Sequence, residues 1–255
     1  MAFVSYLGNS LLYAVLILAT GLLPWIVVAF LFQLVSNSLR RSLAGIFGQK
    51  GYIYLTAPGV AVHELSHAFF CVVFLHKIKK LVLFSPEEDG TLGYVNHTYD
   101  PQSYFQRAGN FFIGTGPIWG GVVVLFLFSK FLLPAEMLPF SEKFVDNFFA
   151  FLRGFFSGKQ WNSWTFYLWL YIALTVGSHV TLSKPDLTGA KDGLLMICGV
   201  VLCGCLLFGW CGTWEETVIG ALKDFFFGQA ALIGTIFCVL VIFALILKLI
   251  PFRRG

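Results

Sequence analysis

The sequence predicts an all-α, polytopic membrane protein of about six transmembrane helices, with a short membrane-associated β-hairpin after the second helix. Three observations carry this. The 255 residues are 58% hydrophobic and only 12% charged, with a mean hydropathy of +0.80. Six apolar runs approach the length that crosses a bilayer. One polar interval, between the second and third runs, has the pattern of paired strands. Soluble domains carry about 25% charged residues, so this chain has too little polar surface to cover a water-soluble globule. Most of its exterior is expected to face lipid.

A hydrocarbon core of ~30 Å is crossed by about 20 residues rising 1.5 Å each. The runs lie at about 11–35, 56–76, 109–133, 161–182, 194–212 and 229–250. No basic stretch precedes the first, and it is too long for a signal-peptide core, so it reads as a retained span. Trp25, Trp161, Trp164, Trp210 and Trp214 lie toward run ends, as interfacial aromatic belts do. Loops are short and no repeat is visible, which predicts one membrane domain over 1–255.

After the second run, Lys79–Phe84 is β-prone, Ser85–Gly90 carries turn residues, and Thr91–Tyr99 is β-prone again. That pattern predicts a hairpin over about 79–99. A lone hairpin is marginal in water, so it is expected to pack on the membrane domain. It is either a plain connection or an edge that pairs with an extended peptide.

Charge and cysteine usage exclude some functions. The net charge is +4, and the positive residues cluster between apolar runs and at the tail, at Lys248, Arg253 and Arg254. This fits interfacial anchoring and gives no footprint for nucleic acid. The distribution does not choose an orientation, and Asn96-His97-Thr98 matches the glycosylation pattern only weakly. Cys71, Cys198, Cys203, Cys205, Cys211 and Cys238 lie in or beside apolar runs without a CxxC pair. They read as small buried hydrophobes and not as disulfides or a sulfur-ligated zinc site.

The second run contains His63-Glu64-Leu65-Ser66-His67. Residues one turn apart share a helix face. Two imidazoles so placed can bind one Zn²⁺, with Glu64 as general base toward a water that the ion acidifies. Ionisable groups inside a span cost at least ~2.5–3.5 kcal/mol each, so three in one short stretch indicate function. The rival role, polar bonding between helices, is an expensive use of them. Zinc usually takes three protein ligands. His179, Asp186 and Asp192 are the candidates for the third, all in the Pro- and Gly-broken stretch 177–193. His76 and His97 are expected at the interface and in the hairpin, outside this site.

These residues resemble the site-2 protease family of intramembrane zinc metalloproteases, in its small single-domain relatives. Four features match in order over about 55–195: the His63–His67 motif, the hairpin, Gly114-Thr115-Gly116-Pro117-Ile118-Trp119-Gly120-Gly121 opening the next run, and a later Asp-bearing stretch. The first is specific and the others are suggestive. The resemblance implies Asp186 as third ligand. The family's usual Asp stands in an Asn-Pro/Leu-Asp-Gly context. Asp192-Gly193 keeps the Asp-Gly part, whereas Ser183-Lys184-Pro185-Asp186-Leu187-Thr188-Gly189 looks like the variant of the small relatives. Asp186 is preferred over Asp192, with His179 a lesser candidate as ligand or oxyanion donor. The chain has no room for a PDZ domain, so substrate gating must differ from members that carry one. The likeness also implies a catalytic end and both termini facing the cytosol. Gly114–Gly121 is expected to pack closely on the metal-bearing span, with substrate contact open for Gly116 and Pro117.

The function expected is hydrolysis of peptide bonds in membrane-spanning or membrane-associated proteins, with Zn²⁺ as cofactor, the bilayer as surroundings and partner subunits possible. A non-catalytic metal-binding subunit or scaffold of a membrane complex is the alternative, separated from it by whether a coordination position stays open. A lipid-cleaving metalloenzyme is a third class. Transport is disfavoured, because no paired broken helices occur in related halves.

Overall fold

The computed structural model describes residues 2–137, 143–209 and 214–249. Trp210, Cys211, Arg253 and Arg254 lie outside the described residues. The chain runs α1 (Ala2–Leu55), α2 (Ala57–Val73), β1 (Lys77–Val82), β2 (Tyr94–Thr98), α3 (Tyr104–Leu132), α4 (Phe144–Phe156), a 3₁₀ turn (Lys159–Asn162), α5 (Trp164–Gly177), α6 (Lys184–Phe208) and α7 (Trp214–Leu249).

Each expected apolar run falls largely on one of these helices, and the helices differ in length. Among the described residues, three helices are long and apolar enough to cross a membrane: Val4–Leu55, Tyr104–Leu132 and Lys184–Phe208. Ala57–Val73, Trp164–Gly177 and Ile233–Leu249 are apolar but shorter. At 1.5 Å per residue α2 reaches only about 26 Å and α5 about 21 Å. The causes are local. Gly48, at φ 73°, breaks the direction of α1 before Leu55. Pro58 suits only the first turn of α2, and Leu75 turns the chain out of that helix at φ 59°. Helix α4 was not expected; its 13 residues are too few to register as a span.

The principal core lies among α1, α3, α5 and α7, where Phe32, Leu39, Leu125, Trp169 and Leu240 are buried. The Trp169 indole donates to Ser129 Oγ at 2.9 Å, which satisfies its one polar atom. The outer faces are also apolar: Ile26 and Phe30 on α1, Phe131 on α3, and Leu195 and Val200 on α6 are exposed.

Strands β1 and β2 pair antiparallel, with Ile78 opposite His97 and Val82 opposite Tyr94, and a bulge between Ile78 and Lys80. Ser85 N–H donates to Leu92 O at 2.7 Å and Glu87 N–H to Thr91 O at 2.8 Å, which carries the pairing into the loop. The hairpin lies on α2. A Cβ at Gly93 would stand 2.7 Å from Val82 O and 2.9 Å from Glu64 Cγ, so the loop approaches Glu64 as only glycine allows.

Candidate metal centre

His63 and His67 lie one turn apart on α2, their ring centroids 4.9 Å apart. Each ring is oriented by a backbone carbonyl. His67 Nδ1 lies 2.7 Å from Ile113 O on α3, and His63 Nδ1 lies 3.0 Å from His179 O beyond the end of α5. The first carbonyl is free for a reason in the sequence. In a helix Ile113 O would accept from residue 117, but Pro117 has no N–H. The vacancy receives the imidazole instead. Because a carbonyl only accepts, each Nδ1 donates its proton there, which leaves each Nε2 as the ring nitrogen available to a metal.

Those two nitrogens face each other, His67 Nε2 to His63 Nε2 at 3.2 Å. Asp186 Oδ1 is 3.4 Å from His67 Nε2, and Asp186 Oδ2 is 3.9 Å from His63 Nε2. These carboxylate separations are too long for good hydrogen bonds. They suit a cation at the centre: a tetrahedral zinc with bonds of about 2.0–2.1 Å holds its nitrogen ligands about 3.4 Å apart. Hydrogen bonds from each imidazole's other nitrogen to a carbonyl are the support that metal-ligating histidines normally have. The donor set therefore fits Zn²⁺.

Asp186 is placed by its helix. Ser183 caps α6, its Oγ accepting from Asp186 N–H at 3.2 Å, while Asp186 Oδ2 accepts from Ser183 N–H at 2.7 Å. This reciprocal capping box, with Pro185 in the first turn, fixes the carboxylate at the positive end of the helix. Helix α6 comes this close because α3 has glycine opposite it. A Cβ at Gly114 would collide with Asp186 O and stand 2.9 Å from Ala190 Cβ.

Glu64 is 7% exposed and lines, with His63, His67 and Asp186, a cavity of about 860 Å³. Residues Tyr94 to His97 of β2 form another wall. The remaining candidates lie apart from the ligand group. Asp192 also borders the cavity, but Arg107 holds its carboxylate through Nη2 at 2.8 Å and Nε at 3.3 Å. His179 contributes its carbonyl; its Nδ1 lies 3.0 Å from Thr175 O, and the ring stacks on Tyr52. Gly116 meets α2, where a Cβ would stand 3.0 Å from Ser66 O, and Pro117 is buried, acting on the site through the carbonyl it leaves free.

Ser183, the Ile113 and His179 carbonyls and Asn110, which is buried on the cavity wall, were not identified from sequence. Signals existed for three of the four. Ser183-Lys184-Pro185-Asp186 is a capping-box pattern, Pro117 unpairs the carbonyl one turn before it, and Asn110 is a polar residue in an apolar run. No protein-family model matches the chain, and no curated protein or solved structure matches it.

Proposed function

We propose that this chain is a multi-pass membrane protein and an intramembrane zinc metalloendopeptidase resembling the site-2 protease family, acting on membrane-spanning or membrane-associated proteins. One observation carries this reading: two imidazole nitrogens and a capped carboxylate converge beside Glu64 on a cavity walled by a β-strand. His63, His67 and Asp186 would hold the metal. When bound, zinc supplies a Lewis acid and brings water within reach of deprotonation near pH 7.

The residues supply the rest. Glu64 takes a proton from water as oxygen adds to the peptide carbonyl carbon. It returns that proton to the departing nitrogen as the C–N bond breaks, leaving a carboxylic acid and an amine, between which the second water proton passes to give carboxylate and ammonium. The substrate must be extended, because a helix engages its own carbonyls. β2 pairs with β1 on one side, and its cavity-side edge suits an added peptide strand. The apolar outer faces of α1, α3 and α6 support embedding in lipid. In this reading the shorter α2, α5 and the end of α7 also cross, within the bundle, and both termini face the cytosol.

Glu64→Gln tests the reading in proteoliposomes carrying a membrane-anchored reporter. The variant is expected to keep its zinc and lose at least about 10²-fold in cleavage. Cleavage at the full rate would remove Glu64 from the chemistry.

A further inference from the structure

A second group of metal-ligating side chains lies beyond the first. Cys71 is one turn past His67 on α2, and is fully buried. Its sulfur and one ring nitrogen each of His76 and His97 all lie within 4.8 Å of one another. These residues come from three parts of the chain: α2, the turn that leaves it, and β2. The sequence alone gave no reason to join them, since Cys71 has no cysteine partner at metal-site spacing.

The turn has an unusual cost. His76 N–H donates to Cys71 O at 2.7 Å, closing the six-residue ring of a Schellman motif. The left-handed position of that motif normally holds glycine, but here it holds Leu75 at φ 59°. A branched residue held there stores strain, which tends to persist where surrounding structure over-determines it. The result is that His76 folds back over Cys71.

The His76 ring is then fixed on both sides. It stacks on Tyr99 with ring centroids 5.0 Å apart, and its Nε2–H donates to Gln106 O at 2.8 Å. Nδ1 of the neutral ring is therefore bare, and it points at His97 Nδ1, 3.0 Å away. A carbonyl that orients one ring nitrogen and frees the other is the support found behind metal-bound histidines.

We propose that Cys71, His76 and His97 form a second zinc site, distinct from that of His63, His67 and Asp186, which clamps the hairpin onto α2. One thiolate and two imidazoles suit a borderline-soft divalent ion, and zinc accepts such mixed sulfur and nitrogen sets. Binding replaces the thiol proton, which passes to solvent, so each zinc taken up releases one proton from Cys71. His97 also lines the main cavity. The clamp thus sets where β2 lies relative to Glu64. The site stands on its own geometry and does not require the protease reading.

The test is zinc content per chain of the full-length protein purified in detergent, paired with cobalt(II) substitution. Wild type should hold two equivalents. His67→Ala should hold one and keep a near-ultraviolet thiolate-to-cobalt charge-transfer band. Cys71→Ser should hold one and lose that band, and the double variant should hold none. If Cys71→Ser fails to fold, His97→Gln, a substitution in the hairpin that leaves α2 intact, should show the same loss of one equivalent. Wild-type zinc content in His97→Gln, copper retained in place of zinc, or no charge-transfer band in wild type would each overturn the second site. Unchanged zinc in His67→Ala would instead count against the first site alone.

Discussion

At the scale of single residues, the candidate site depends on atoms that hold other atoms in place. Ser183 and Asp186 cap α6 reciprocally, and the same carboxylate turns its other oxygen toward His67. Ser183→Ala should cost about 1 kcal/mol of stability as a lost cap, and zinc affinity should fall with it. A competition titration against a chelator reads the affinity. Pro117→Ala restores the helical N–H that would compete for Ile113 O, so His67 loses the undivided support of that carbonyl. Loss of such outer support typically costs 10–100-fold in metal affinity, and Pro117→Ala should fall toward the lower end, because a carbonyl has two lone pairs. Asp192 separates the two aspartates. Its pair with Arg107 is partly exposed, so Asp192→Asn should leave zinc content unchanged and cost no more than ~1 kcal/mol.

At the scale of elements, α3 and the hairpin decide the geometry. Gly114 lets α6 bring Asp186 to α2, and Gly93 lets the hairpin loop close on Glu64. Gly114→Leu should push α6 away and reduce zinc affinity, since the third ligand is displaced. Gly93→Val should leave zinc bound and lower turnover by about 10²-fold, the loss expected when reacting groups shift by ~1 Å. Measured together, zinc content and reporter cleavage distinguish the two outcomes. The His63–His67 motif was legible because its spacing is a property of one helix. The hairpin was legible because strand residues and turn residues alternate over a short interval. The choice between two aspartates was harder, since Asp186 and Asp192 both follow a helix-breaking stretch. Their positions differ through contacts that spacing does not carry: Arg107 pairs with Asp192, while Ser183 holds Asp186 beside the imidazoles. The carbonyls behind the imidazoles were not legible, because a carbonyl carries no residue identity; only Pro117 hinted at one of them.

At the scale of the whole molecule, composition indicated apolar helices, and the apolar runs do lie on helices. It did not give their lengths. α2 ends at a turn in which Leu75 is held at φ 59°, and α5 ends before the broken stretch that supplies His179 O. Both short helices therefore meet irregular backbone at their ends. The stretch after α5 borders the candidate site, with Ser183, Pro185 and Asp186 on the cavity wall. The long helices α1, α3 and α6 carry apolar residues on their outer faces. Hydrogen exchange in lipid nanodiscs should accordingly protect α3 and α6 more strongly than the 83–93 loop.

The central claim is that one metal ion is held between His63, His67 and Asp186. Anomalous diffraction at the zinc edge, from crystals of the purified wild-type protein, tests it most directly. The account predicts a peak within about 2.0–2.2 Å of His63 Nε2, His67 Nε2 and an Asp186 carboxylate oxygen. Crystals grown with zinc that show no peak among these three atoms would contradict it.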